Sequence, residues 1–168
     1  MKIYEAELVD CPGGPHRMTT SYTVRDFMTA PAVFLPHTAR LVDAALALRS
    51  SSIRHLPIVE GNRLVGIITD RDIQRCAPSR LVPITEEQYN TIFETTPLAR
   101  VMTRDPQTIS PDAPLSEAAS ILQGGKFGCL PVVEKGELVG ILTRADLMAV
   151  LLRLLSGESP LPGSRTGR

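Results

Sequence analysis

Two places in the chain set a threonine three residues before an aspartate, after a glycine and two branched apolar residues. They read Gly66-Ile67-Ile68-Thr69-Asp70-Arg71-Asp72 and Gly140-Ile141-Leu142-Thr143-Arg144-Ala145-Asp146. A carboxylate has several acceptor sites and can hold two vicinal hydroxyls. A threonine that opens a helix leaves backbone N–H groups and the positive dipole end free to meet an anion. Three residues is close to one helical turn, so each hydroxyl and carboxylate can face one cleft. The plainer reading is that each pair caps a helix start, and for an isolated motif that reading carries most of the weight. Arg71 and Arg144 can reach phosphates or stand as solvated helix charges.

The elements that must position these pairs occur twice. Residues His55 to Ile73 and Cys129 to Leu147, placed 74 apart without gaps, share ten of nineteen residues. The same offset pairs Met28-Thr29 with Met102-Thr103. It also pairs Leu41, Ala44, Ala45 and Leu48 with Leu115, Ala118, Ala119 and Leu122, an i, i+3, i+4, i+7 stripe that predicts an amphipathic helix in each half. Two short apolar runs follow, separated by Gly61-Asn62 in the first half and Lys135-Gly136 in the second, and read as hairpins. A helix then begins after Thr69 or Asp70, and another runs from Arg144 to about Leu155. Weak first strands are expected near Ala32 to Leu35 and Gln107 to Ser110. Pro114 suits a first helical turn, Gly124-Gly125 a helix C-cap, and Thr85 to Gln88 has capping-box spacing.

The fold class is therefore α/β (α+β): two β-α-β-β-α repeats packed with pseudo-two-fold symmetry, since one unit alone is too small to bury its sheet and helices. The expected organisation is a flexible segment 1–22, repeat one at 23–76, a connector with a short helix at 77–97, repeat two at 98–155 and a disordered tail 156–168.

Composition narrows the function. Eighteen basic residues balance eighteen acidic ones, so no global field favours nucleic acid. The three cysteines, Cys11, Cys76 and Cys129, form no CxxC pair, which argues against a disulfide framework or zinc site and fits a cytoplasmic setting. His16, His37 and His55 show no metal-ligand spacing, and Cys129 reads as core filler. The N-terminus has no signal-peptide core, and Leu147 to Leu155 is interrupted by Arg153 and too short for a membrane span.

The LPIV…LVGIITDRDI and LPVV…LVGILTRADL segments resemble the cystathionine-beta-synthase-type (CBS) repeat, and two in tandem resemble a Bateman module, over about Val24 to Leu155. Within that family the chain is similar to acetoin-utilisation accessory proteins, through RHLPIV, GIITDRDI, an Ala-Pro-Ser connector start, and GCLPVV followed by GILTRADL. Those relatives commonly carry a C-terminal ACT domain, and this chain is read as the pair without one.

The resemblance implies a non-enzymatic regulatory module that needs no cofactor and binds AMP, ADP or ATP, with S-adenosylmethionine as the alternative ligand. It implies a homodimer and a regulated partner protein. A structural dimerisation module with empty clefts is the rival reading. By the resemblance, Asp72 and Asp146 take ribose hydroxyls, while Thr69, Thr143 and nearby N–H groups take ribose or phosphate oxygens. A basic residue at the hairpin start of the opposite repeat completes each cleft. That position holds Arg54 in repeat one and Gly128 in repeat two. The cleft of Thr143, Asp146 and Arg144 is thus expected to receive Arg54 and His55, and to bind more tightly than the cleft of Thr69, Asp72 and Arg71. Val33 and Phe34, and Thr108 and Ile109, are expected beside the adenine.

Overall fold

Each repeated stripe of leucine and alanine becomes a helix because one face has a sheet to lie on. The computed structural model describes residues 22–77, 85–125 and 127–161. In it α1 (Leu41–Ser50) buries Leu41, Ala44 and Leu48. The equivalent α4 (Leu115–Gly124) buries Ala118 and Leu122. The first half continues β1 (Leu35–Pro36), β2 (His55–Glu60), β3 (Arg63–Thr69) and α2 (Asp70–Cys76). After α3 (Glu86–Thr95) and the short strand β4 (Thr103–Arg104), the second half supplies β5 (Cys129–Glu134), β6 (Glu137–Thr143) and α5 (Arg144–Leu155).

The two hairpins share a register, each with a bulge at the same place. They meet at the pair Arg63–Glu137, giving the order β1-β2-β3-β6-β5. Gly61 turns the first hairpin at φ 60°, and Lys135 and Gly136 turn the second at 52° and 86°. These left-handed values are what tight hairpin turns require. The weak first strand of repeat two is reduced to a parallel bridge between Ile109 and Val132, matching the Leu35–Ile58 pairing of β1.

The segments preceding the repeats cross over. Thr103 and Arg104 pair with Ile67 and Gly66 of the first hairpin, while Thr29 bridges Ile141 of the second. Leu98, in a 3-10 turn, is fully buried among Leu41, Leu56, Ile58 and Ile68. Val24, in the matching turn, is fully buried among Ile109, Leu122, Leu130 and Leu142. Each half's core is completed by residues that precede the other half. A third cluster, Ala32, Ile67, Cys129 and Ile141, lies between them.

Two local expectations change, and the glycine cap of α4 stands for a different reason. Pro114 is the N-cap residue of α4 rather than part of its first turn. Gly125 caps α4 in extended backbone, φ −87°, so left-handed freedom is not its role. A Cβ there would stand 2.5 Å from Cζ of Phe127, and close aromatic packing is what needs the glycine. Residues 1–21 of the expected flexible segment and 162–168 of the expected tail lie outside the described residues. Within the remainder of that tail, Leu161 O accepts from Arg153 Nη1 at 2.6 Å and Pro160 is buried, so the chain turns back along α5.

Candidate functional site

Thr69 and Asp72 form a reciprocal box at the start of α2. The Thr69 hydroxyl donates to Asp72 Oδ2 at 2.6 Å, the Thr69 N–H donates to the same oxygen at 2.9 Å, and Asp72 N–H donates back to the hydroxyl at 3.4 Å. Thr143 and Asp146 repeat this at 2.7, 2.7 and 3.3 Å. Both threonines are therefore true N-caps. The box consumes one carboxylate oxygen of each aspartate and leaves Oδ1. At Asp72 that oxygen has only Arg75 Nη1, 3.7 Å away, and at Asp146 it has no partner among the described residues. Capping and ligand binding are compatible because they use different oxygens.

A cavity of about 940 Å³ opens at Asp72. From repeat one it is lined by Arg54, His55, Thr69, Asp70, Arg71, Asp72, Gln74 and Arg75. From the other side come Asp105, Pro106, Gln107, Phe127, Gly128, Cys129 and Arg144. Four arginines stand against three aspartates, so the wall carries local positive charge in a chain that is neutral overall. Arg54 and Arg71 have no hydrogen-bonded acceptor among the described residues and are free to meet an anion. The Arg144 guanidinium donates to Leu122 O at 2.7 Å and Gly125 O at 2.8 Å, so it caps the C-terminus of α4 instead of standing as a solvated charge.

His55 crosses the seam between the repeats. A Cβ on Gly128 would lie 2.8 Å from His55 Nε2, so the imidazole occupies the room that glycine leaves. Burial first, and the Arg54 charge second, hold the His55 pKa below its usual value. Burial pushes the Cys129 thiol up to about 12, which makes it an unreactive wall atom.

The described cavity groups these residues differently from the sequence expectation. Arg54 and His55 share their cavity with Thr69 and Asp72, and neither Thr143 nor Asp146 lines it. The cause is strand register: β2 and β3 are antiparallel neighbours with His55 opposite Thr69. Arg54 O accepts from Asp70 N–H at 3.3 Å, tying the hairpin start to the α2 cap of the same repeat.

The adenine candidates separate too. Ile109 is buried in the core of the second half and does not line this cavity. Thr108 is exposed but does not line the cavity; Pro106 and Gln107 do. Val33 and Phe34 are exposed and lie off this cavity. Sequence reasoning missed Arg75, Gln74, Asp105, Pro106, Gln107 and Phe127. Only Arg75 left a readable signal, one helical turn after both Arg71 and Asp72.

Fold and site together define a duplicated module with a ligand-sized, positively charged cavity at the seam of its repeats. The chain belongs to the CBS-domain family, whose pattern matches residues 24–78 and 98–153. It is similar to a Vibrio cholerae protein named for acetoin utilization (AcuB), with 38% identity, TM-score 0.69, and 82% of this chain and 95% of that one covered. It is also similar to CBSX2, solved in complex with AMP: 29% identity, TM-score 0.68, covering 79% and 98%. A third likeness is a CBS domain pair solved with 5′-methylthioadenosine and S-adenosyl-L-methionine, at 28% identity and TM-score 0.64, covering 82% and 98%. Curated relatives run from a CBS domain-containing protein of Dictyostelium discoideum, 32% identical and matched over 79% of this chain and 94% of its own length, to a tRNA nucleotidyltransferase of Aquifex aeolicus matched over 14% of its length. CBS pairs are generally regulatory and non-catalytic. No helix among the described residues is long and apolar enough to cross a membrane.

Proposed function

We propose that the chain is a sensor of a phosphorylated adenine nucleotide of the AMP, ADP or ATP type, bound at the Asp72 end of the seam and read by a partner protein. The observation that carries this is one cavity lined by Arg54, Arg71, Arg75 and Arg144 together with Asp72, whose Oδ1 meets only Arg75 Nη1 at 3.7 Å. Asp72 Oδ1 suits a ribose diol, and the guanidinium groups suit phosphate oxygens, which they can grip two at a time. The 74-residue offset carries those four arginines onto Gly128, Ala145, Ala149 and Asp70. The same offset places Arg54 and Arg144 at the positions of Gly128 and Asp70, so the Asp146 end counts two arginines against four, and one tightly bound phosphorylated ligand per chain is expected. The cationic sulfonium of S-adenosylmethionine is a poorer match to four arginines. The adenosyl ligands of CBSX2 and of the third pair support the general class.

Isothermal titration with AMP, ADP, ATP and S-adenosylmethionine tests this reading. Binding near one per chain, lost in Asp72→Ala and kept in Asp146→Ala, is expected. Loss with Asp146→Ala alone, or no binding by any of the four, overturns it.

The second reading concerns assembly. On α5, Met148, Leu151, Leu152 and Leu155 are 55%, 45%, 59% and 75% exposed and spaced i, i+3, i+4, i+7. Such a stripe suits a second copy of the chain, and a homodimer would let occupancy at one seam alter how two chains meet. A dimer that binds none of the four ligands would favour a purely structural module.

A further inference from the structure

We infer that His55 is a proton-linked residue of the Asp72 cavity: a phosphorylated ligand entering among the arginines is bound together with a proton on the His55 ring. This rests on the nucleotide reading above and adds to it a dependence on pH.

The geometry is specific. The ring is half-buried, lines the cavity and reaches across the seam to the space above Gly128. The groups around it come from every neighbouring element. Arg54 precedes it on β2. Asp70, Arg71, Asp72 and Arg75 stand on α2. Asp105 follows β4, the Cys129 thiol lies on β5, and Arg144 opens α5. Before ligand enters, burial first and the Arg54 charge second disfavour an imidazolium, and the His55 pKa is lowered. A phosphate dianion reverses the local sign: it screens the guanidinium charge and offers acceptors to the ring nitrogens, both of which donate at once only when the ring is protonated. Linkage then requires that affinity rise as pH falls toward the free-state pKa of the ring. The gain is about tenfold for each pKa unit by which the ligand raises that value.

Titration of the full chain with AMP at pH 6.5, in two buffers of different ionisation enthalpy, counts the protons taken up on binding. AMP itself titrates in this range, so the quantity read is the difference between wild type and His55→Gln, in which glutamine keeps hydrogen-bonding atoms without a titrating ring. The expected result is that His55→Gln still binds AMP, with smaller proton uptake and a flatter affinity profile between pH 5.5 and 8. Equal uptake in the two proteins overturns the inference while leaving the nucleotide reading intact. Absence of AMP binding in wild type at every pH overturns both. Gly128→Ala, whose Cβ would displace the ring, is expected to reduce uptake as His55→Gln does; unchanged uptake there counts against the seam position of His55.

Discussion

Gly66 lies directly against Met102: a Cβ on the glycine would stand 2.5 Å from Met102 Sδ and 3.0 Å from the Thr103 carbonyl oxygen. Gly140 meets Met28 and Thr29 in the same way, at 2.8 and 3.0 Å. The glycine of each hairpin is the seat for the Met-Thr segment that precedes the opposite repeat. The sulfur end of methionine can swing aside, but the carbonyl belongs to a paired strand and cannot. Gly66→Ala and Gly140→Ala are expected to destabilise the fold by about 1–3 kcal/mol, the usual cost of overpacking. Urea unfolding checks this, with both halves losing structure in one transition because each core is closed from the other side.

The two aspartates make the same caps but different cavities. Asp72→Ala and Asp146→Ala are each expected to cost about 0.5–2 kcal/mol of stability through the lost capping interactions. Thermal unfolding without ligand should show similar losses. Added AMP should restore stability to Asp146→Ala and leave Asp72→Ala unchanged, since only a bound folded state is raised.

Cys129 sets an alkaline limit. Its folded pKa of about 12 lies above the ordinary thiol value of 9.0, because burial penalises the thiolate. Below about pH 9 both states hold the proton and the stability is fully present. Between pH 9 and 12 the unfolded thiol ionises while the folded one does not, so stability falls as pH rises. Chemical denaturation at pH 8 and pH 10.5 is expected to show a drop that is smaller in Cys129→Ala. An equal drop in that variant would place the alkaline sensitivity elsewhere.

The α5 stripe predicts assembly. Replacing Leu151 and Leu155 by glutamate puts charge on two exposed positions, so folding should be spared. Sedimentation velocity is expected to move from dimer to monomer. A wild-type monomer at tens of micromolar would remove the homodimer from the proposal.

Much of this was legible in the chain because the repeat was. A gapless offset of 74 residues, with the apolar stripe and the hairpin turns falling at matching places, defines two β-α-β-β-α units before any coordinates exist. The Thr–Asp spacing likewise announced two helix caps, since a capping box is a local interaction between residues three apart. Cavity membership was not legible. Gln107 and Ile109 are two residues apart, yet one lines the cavity and the other is core. Strand alternation by itself would put both on one face, so the shape of the chain before Ile109 decides.

The units, their caps and their number can be read from the chain alone, because propensity, periodicity and turn chemistry act over a few residues at a time. Long-range packing, not local pattern, sets Arg54 in one cavity with Asp72, closes each core with Val24 or Leu98 from the opposite side, and rests His55 over Gly128. Those relationships depend on strand register and on how the repeats meet, which long-range packing settles and no local pattern encodes.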